Sequence, residues 1–540
     1  MTEPVRSERH LNRRDALSRA AALGLAGSLA PALVAGGGVA EASTLGAAAP
    51  AGTLAGSALK VLPGGAPTTF DPGRWTVNID HWAMSCLYEG LVTFRPGTTH
   101  VVNQLAQSFR PSANGLRYDF VLKKGIQFHG GYGELTAEDV KYSYERIAGL
   151  TKPKEVFAAH PDWSTLKEVK VTGRYSGTII LKSYFAPIMN TVLPVSSGYI
   201  VSKKAVLERG TKFQTQPIGT GPYELEKYVP GQIARLRKFK NYGKASAGIA
   251  PQSYRWDTIE IVLSATQTGD VALQAGDVNF TVLPVAAVDR MGKSSFQISK
   301  APTVDFSWLN MNTIAPGLSN INVRKAIRYA IDVPAVLEGA WYNKWRRATA
   351  AIAPSVPVGY WADAPKYDRD MKKAQSYMKA ANVKSLNLKF AIDTTDQGAS
   401  LAAQVIQSNL GDIGIKTDLT QLDNSTFYTL NSSLRKRDLM LVNWTSYPDP
   451  TWAAQWFTCN QFDVWNWMYM CNKQFDKLNA QALAERNRTR RGQIYVQMQK
   501  LWDEAVGAVW LAWPTSYFGH VRGLKTSFTP WGNPILWNFR

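Results

Sequence analysis

The stretch 104–149 constrains the fold more than any other part of this chain, because three local signals follow one another in it. Asn114-Gly115 is a turn signal. In Arg117–Lys123 apolar and polar side chains alternate, which predicts a half-buried strand. Thr136-Ala137-Glu138-Asp139 fits a helix capping box, and apolar residues follow it at helical spacing. The stretch therefore predicts a strand, a loop and a helix in a mixed α/β protein.

The chain is too long for one hydrophobic core, since 540 residues normally divide into two or three lobes. Its net charge is +20, and removing residues 1–42 takes away five arginines and four acids, which leaves +19 on the body. No block of Lys and Arg and no stripe of basic and aromatic residues indicates nucleic acid. We therefore interpret the charge as scattered and solvated, and expect no nucleic-acid partner.

Residues 1–42 have the features of an export signal. Arg13-Arg14 precede a weakly apolar stretch, Ala20 to Val39, and Ala40-Glu41-Ala42 offers a small-x-small cleavage site. An N-terminal membrane anchor is the alternative, but the stretch is rich in Gly and Ala and poor in Ile, Val and Phe. The paired arginines are typical of twin-arginine export. Residues 43–55 are predicted to form a flexible lead-in. Because no Cys lies near the cleavage site to carry a lipid anchor, we expect a periplasmic protein.

Three cysteines fit this expectation. Cys459 and Cys471 lie close together in sequence, and in an oxidising compartment we expect them to form a disulfide. Cys86 lies in an apolar run, which predicts a buried small hydrophobic residue.

The C-terminal half alternates between strand and helix patterns. Leu386, Leu388 and Phe390 alternate along one predicted strand, and the continuous apolar run Leu439 to Val442 is typical of a strand buried on both faces. The pattern predicts a parallel sheet. In the predicted helix 322–332 we expect Arg324 and Arg328 to stay in water.

The stretch 104–149 resembles the signature segment of the solute-binding proteins of ABC importers, in the family of dipeptide- and oligopeptide-binding proteins. The similarity lies in Leu105-Ala106, in the strand ending Leu122-Lys123-Lys124-Gly125-Ile126 with Phe128-His129-Gly130-Gly131, and in Leu135 to Val140. Gly219-Thr220-Gly221-Pro222-Tyr223 and 323–332 also match family text. The resemblance implies an α/β fold of the type II periplasmic-binding-protein kind (cluster C), with two large lobes joined by crossing strands plus an extra domain.

The resemblance also implies domain bounds and a function. Lobe I is expected from 56–91, 215–305 and 509–540, extra domain II from 92–214, and lobe III from 306–508. A small solute would be trapped by lobe closure and delivered to an ABC permease driven by ATPase subunits. We expect a monomer without a cofactor.

The expected ligand contacts follow the strand that ends near Val442. Asn443 to Pro450 resembles the family text W-x-x-D-Y-P-D-P, but the Asp before Tyr is absent, and Ser446 stands in its place or the position is deleted. The resemblance implies that this Asp pairs with a peptide's ammonium group, so we do not expect an ordinary free-amine peptide. The predicted ligand-binding residues are Asp71, Tyr88, Asp393, Asp396, Trp444, Thr445, Ser446 and Tyr447.

The ligand class stays open among a peptide, an opine, a glycoside and a cationic compound. Asp393 and Asp396 lie where peptide binders carry an Arg, so they favour a cationic or polyhydroxylated ligand. The alternative is that both acids cap the helix that begins near Ala399.

Enzymatic function is disfavoured. The chain contains no His-Glu-x-x-His and no Gly-x-Ser-x-Gly motif, and none of its six His residues forms a pair with metal-ligand spacing. We predict no catalytic residue and no metal ligand. The alternatives are a metal-chelate or sensory binding protein of the same fold and, from another class, a secreted hydrolase.

Overall fold

The structure is a computed structural model, and the predicted export signal 1–42 and lead-in 43–55 lie outside its described residues. It describes residues 57–75, 77–152, 155, 157–243, 254–263, 268–301, 303–428 and 432–540.

A seven-stranded sheet forms the core of lobe I. Its first strand in sequence, Ala58–Leu62, is central and pairs in parallel with a neighbour on each side. Leu59 and Val61 are fully buried, as a central strand covered on both faces requires. The strand order is Gln297–Ala301, Ser516–His520, Phe280–Val282, Ala58–Leu62, Thr258–Val262, Ile233–Lys238 and Tyr223–Val229.

A six-stranded sheet forms the core of lobe III. Its strand Leu386–Asp393 pairs in parallel with both neighbours, and the helix Gln397–Gly411 connects it to one of them. The predicted parallel pairing is confirmed for these three strands, but the sheet as a whole is mixed, because Phe306–Met311 pairs antiparallel with both of its neighbours. The strand order is Arg346–Arg347, Ala508–Trp513, Phe306–Met311, Leu439–Trp444, Leu386–Asp393 and Ile415–Leu422.

The chain passes between these two sheets through residues 303–305 and 514–515. The two connections touch, because the Thr303 hydroxyl donates a hydrogen bond to the Pro514 carbonyl. The strand Ala508–Trp513, assigned to lobe I from sequence, pairs within the six-stranded sheet, and all of its residues are buried. We call residues 303–305 and 514–515 the hinge segments.

Extra domain II is built on a four-stranded antiparallel sheet and carries the strand–loop–helix unit predicted from 104–149. Its strands, in sheet order, are Ala106–Pro111, Arg117–Leu122, Ser176–Leu181 and Leu166–Gly173. The helix Ala137–Ile147 begins with the predicted capping box, in which the Asp139 carboxylate accepts the Thr136 N–H at 3.0 Å. A two-stranded sheet, Val92–Phe94 with Val101–Asn103, precedes this domain.

The remaining α-helices lie on the faces and edges of the sheets, and among the described residues no helix is long and apolar enough to span a bilayer. They are Asp80–Leu87, Lys203–Arg209, Gly269–Ala275, Val288–Gly292, Ile321–Ala330, Val333–Trp341, Met371–Ala380, Asn424–Phe427, Thr451–Ala454, Lys473–Ala484 and Arg488–Ala505.

The prediction that Arg324 and Arg328 stay in water is wrong. Their residues are only 7% and 6% exposed. The Arg324 guanidinium donates to the Val506 carbonyl at 3.1 Å, and that of Arg328 lies 3.1 Å from the Asp503 carboxylate. Buried guanidinium groups are tolerated here because they satisfy acceptors at the end of the helix Arg488–Ala505.

Candidate ligand cleft between the two lobes

The loop that follows the strand Leu439–Trp444, which we call the cleft loop, contacts lobe I directly. The Tyr447 hydroxyl lies 2.9 Å from His81 Nε2, and the Asn78 side-chain amide donates to Thr445 Oγ1 at 3.5 Å. His81 and Asn78 belong to lobe I, at and just before the helix Asp80–Leu87. Three of the predicted contact residues, Thr445, Ser446 and Tyr447, therefore lie at the interface between the lobes.

An aromatic wall lines this interface with rings from both lobes. Trp75 of lobe I stacks on Trp452 of lobe III, with ring centroids 5.7 Å apart. Tyr447 packs edge-on against Trp452 at 4.8 Å and contacts Trp531 at 5.2 Å. Large amphipathic rings of this kind can cover a sugar face, an apolar side chain or a cation.

Several indole N–H groups at this wall have no acceptor. Among the described residues, the buried Nε1 atoms of Trp75, Trp456 and Trp531 lack a hydrogen-bond partner. Trp456 packs edge-on against Trp452, with centroids 5.2 Å apart. A buried donor without an acceptor is costly, so three of them at one interface indicate a place where a ligand supplies acceptors.

Ser446 is held by a carboxylate from the hinge. Its backbone N–H donates to Asp305 Oδ1 at 3.0 Å, and Asp305 lies in the hinge segment 303–305. Burial raises the pKa of Asp305 to about 7, and the Ser446 N–H opposes this rise only in part. In the described part of the chain, Asp305 forms no ion pair with a Lys or Arg side chain.

Asp393 and Asp396 lie together at the carboxyl end of the parallel strand Leu386–Asp393. Asp393 Oδ1 accepts the Thr395 N–H at 2.9 Å. Asp396 is the N-cap of the helix Gln397–Gly411 and accepts the Gly398 N–H at 2.8 Å, so for this residue the capping alternative applies. Its other oxygen accepts the Asn443 side-chain amide at 2.7 Å. Burial raises the Asp396 pKa, and the neighbouring Asp393 adds to the rise.

The contacts of Asp71 and Tyr88 do not involve this loop. The buried Asp71 carboxylate forms an ion pair with the Arg146 side chain of domain II. The Tyr88 hydroxyl donates to the Phe70 carbonyl at 2.9 Å, and burial raises its pKa well above the usual value. Asp71 therefore connects lobe I to domain II, whereas the Tyr88 hydrogen bond stays within lobe I.

Trp444 belongs to a cluster within lobe III rather than to the aromatic wall. Its ring contacts Trp308 at 5.9 Å, Trp465 at 5.3 Å and Trp467 at 5.6 Å. This fits the strand alternation, because Trp444 lies opposite Phe306 on the buried side of the sheet.

Sequence reasoning missed Trp75, His81, Asp305 and Trp531. The 18 Trp residues of the chain are a signal for aromatic rings, but nothing in the sequence distinguishes Trp75 from a core residue. Asp305 had no local signal, because its partner Ser446 is 141 positions away.

Among the described residues, no group of three or more His, Cys, Asp or Glu side chains is arranged to hold a metal ion. The acids of lobe III are instead spread along the sheet edge and engaged with N–H donors, which suits an organic ligand better than a compact ion.

The fold and the sequence are similar to those of known binding proteins. The chain is 27% identical to the dipeptide-binding protein of Escherichia coli K12 over 488 residues, which covers 84% of this chain and 88% of the relative. The periplasmic binding protein DppA from Helicobacter pylori, solved with the peptide STSA, has a TM-score of 0.79 at 22% identity, over 89% of this chain and 96% of that one. The mannopinic acid complex of MoaA from A. tumefaciens R10 has a TM-score of 0.77 at 22% identity, over 89% and 98%.

The family model for the middle region of family 5 of the bacterial extracellular solute-binding proteins matches residues 100–463. This match covers most of domain II, the hinge segment 303–305 and the cleft loop. Family members are binding proteins of transport systems and not enzymes. The chain therefore belongs to the bacterial extracellular solute-binding proteins of family 5.

Proposed function

We propose that this protein captures a small solute between lobe I and lobe III and delivers it, unaltered, to an ABC permease with its ATPase subunits. The observation that carries the proposal is the aromatic wall, because it contains rings from both lobes and indole N–H groups without acceptors. A solute with several acceptor atoms would satisfy donors that the closed lobes leave unpaired.

A ligand can close the lobes only through a difference in its affinity for their closed and open arrangements. A ligand shifts the lobes toward the closed arrangement only if it binds that arrangement more tightly than the open one. Trp75 and Trp452 come from different lobes and stack on each other. A solute that contacts both rings would therefore gain part of its binding energy only when the lobes come together.

The solute is a peptide, an opine, a glycoside or a cationic compound. The relatives that bind peptides and an opine support the first two classes. The loop after Trp444 lacks an Asp at the position where the family text has one, and a neutral Ser446 hydroxyl cannot replace a charge pair. An ammonium group is thus not held from position 446.

We also propose that the chain works as a periplasmic monomer after twin-arginine export. The oxidising periplasm would keep the disulfide Cys459–Cys471, which the structure contains, and leave the buried Cys86 reduced.

Mass spectrometry of compounds that co-purify after gentle lysis identifies the solute class, and intrinsic Trp fluorescence then measures its affinity. The variant Trp75→Phe keeps an aromatic ring but removes one unpaired N–H, and we expect at least about fivefold weaker binding, since a hydrogen bond contributes about 1 kcal/mol. Trp361→Phe is the matched control, because Trp361 also has a buried N–H without an acceptor but packs beside Lys500. Equal affinity of Trp75→Phe and wild type, or no response to any of the four ligand classes, would count against the proposal.

A further inference from the structure

Asp305 is a carboxyl group in an unusual position. It lies in a hinge segment and next to the cleft loop, and the Ser446 N–H at 3.0 Å is the one donor that contacts it among the described residues. A partly buried carboxylate without a cation is costly, and the same N–H would be satisfied by a neutral Asn. The charge of Asp305 therefore has no structural use that the described contacts explain.

Close to Asp305, at the same end of the six-stranded sheet, lie buried polar atoms that have no hydrogen-bond partner among the described residues. Ser307 is fully buried, and its hydroxyl has no hydrogen-bond partner among the described residues. Ser307 lies directly opposite Asn443 in the antiparallel pair, so both side chains share one face. Asn443 donates its amide to Asp396, but its own Oδ1 is buried without a partner.

These groups form one row of acceptors. Asp305 directly precedes the strand Phe306–Met311, and Ser307 is the second residue of this strand, so both lie at the same end of it. The row begins with the Asp305 carboxylate, continues through the Ser307 hydroxyl and Asn443 Oδ1, and ends at the Asp396 carboxylate. No described Lys or Arg forms an ion pair with either carboxylate.

We propose that Asp305 binds a cationic group of the solute, an ammonium or a guanidinium, and that Ser307 and Asn443 accept its remaining N–H groups. This inference rests on the proposed function and names the part of the solute that the cleft selects. The cation is organic, because no described group of three or more ligating side chains is arranged for a metal ion.

The test compares three pairs of probes, each a free amine and its N-acetylated counterpart, which carries no positive charge, by isothermal titration calorimetry on the exported, full-length mature protein. The pairs are Ala-Phe with N-acetyl-Ala-Phe, glucosamine with N-acetylglucosamine, and putrescine with N,N′-diacetylputrescine. For at least one pair, we expect the wild type to bind the cationic member at least tenfold more tightly than its acylated counterpart. The variant Asp305→Asn keeps the acceptor for the Ser446 N–H, so it should fold, but its preference should fall below twofold.

Glu89→Gln is the matched control variant. Burial raises the pKa of Glu89 to about 7 as well, and this carboxyl accepts the Tyr242 hydroxyl at 3.0 Å in lobe I. Glu89→Gln should keep the tenfold preference. Melting temperatures of all three proteins establish that each is folded.

The outcomes separate the two proposals. If wild type binds the neutral members as well as the cationic ones, or Asp305→Asn keeps the preference, the role of Asp305 is wrong and the capture of a solute stands. If none of the six probes binds the folded wild type, the proposed ligand classes fail and the role of Asp305 fails with them.

Discussion

The hydroxyl of Tyr447 in lobe III lies 2.9 Å from Nε2 of His81 in lobe I, and this hydrogen bond joins the two lobes across the cleft. The other ring nitrogen of His81 contacts the Ser196 hydroxyl of domain II, so one imidazole connects all three parts of the molecule. Burial lowers the pKa of His81 to about 3. The imidazole is therefore neutral near pH 7, and this contact between the lobes persists over the ordinary pH range.

Tyr447→Phe should weaken ligand-driven closure. The change removes the bond to His81 but keeps the ring that packs on Trp452, and a lost hydrogen bond of about 1 kcal/mol shifts the equilibrium toward the open lobes about fivefold. Small-angle X-ray scattering with the co-purified solute should show a larger radius of gyration at subsaturating concentration. Tyr469→Phe is the control, because the Tyr469 hydroxyl contacts Asp463 within lobe III. An unchanged scattering curve for Tyr447→Phe would contradict the role of this bond.

Gly221→Ala should destabilise lobe I. A Cβ at this position would lie 2.3 Å from the Cys86 carbonyl oxygen, so the backbone at the end of the helix Asp80–Leu87 would have to move. We expect a loss of at least about 2 kcal/mol in the free energy of unfolding, measured by urea denaturation, because such overpacking typically costs 1–3 kcal/mol. Gly411→Ala is the control, since nothing lies within 4 Å of its added Cβ. Equal stability of both variants would show that the close approach is not required.

The glycines of 219–223 illustrate where sequence reasoning reached its limit. The motif matches family text, but the sequence alone does not show why glycine occupies these positions. In the structure neither Gly219 nor Gly221 has a positive φ, and both are close to the Leu87 and Cys86 carbonyls. This close approach depends on a segment more than 100 residues earlier in the chain, so no local pattern reveals it.

Local patterns predicted the elements and long-range contacts decided the site. Alternation and capping residues sufficed for the strand Arg117–Leu122 and the helix Ala137–Ile147, since both signals are encoded within a few residues. The cleft depends on pairs such as Asp305 with Ser446, which neither periodicity nor composition reveals. The same holds for Arg324, whose carbonyl acceptors lie near residue 506.

Replacing both Cys459 and Cys471 with Ser should lower stability without changing the fold. The disulfide closes a short loop with a sequence separation of 12, and the chain-entropy model gives a loss of roughly 3 kcal/mol. Urea denaturation should show a lower midpoint for the double variant, and a reductant should shift wild type but not the variant. Cys86 is buried and unpaired, so Cys86→Ala controls for the loss of a thiol. Equal midpoints of the oxidised wild type and the double variant would contradict a stabilising role.

Asp162 should make the protein less stable as the pH rises from about 4 to 7. Burial raises the pKa of this carboxyl from 3.8 to about 7, and its hydrogen bond with the Ser197 hydroxyl opposes the rise only in part. Between these two values the native state holds a proton that the unfolded chain has lost, so stability falls with rising pH.

Asp162→Asn removes this titration while an amide oxygen can still accept from Ser197. The free energy of unfolding of the variant minus that of wild type should therefore increase from pH 5 to pH 8, by an amount on the order of 2 kcal/mol. Urea denaturation at both pH values measures this difference. The contributions of Glu89 and Asp305 to the pH dependence of stability cancel in it, because both carboxyls titrate in both proteins. Asp289→Asn, at an exposed position paired with Lys344, is the control and should show the wild-type pH profile. If Asp162→Asn also follows the wild-type profile, then Asp162 is ionised in the native protein at pH 5, and the proton is held elsewhere.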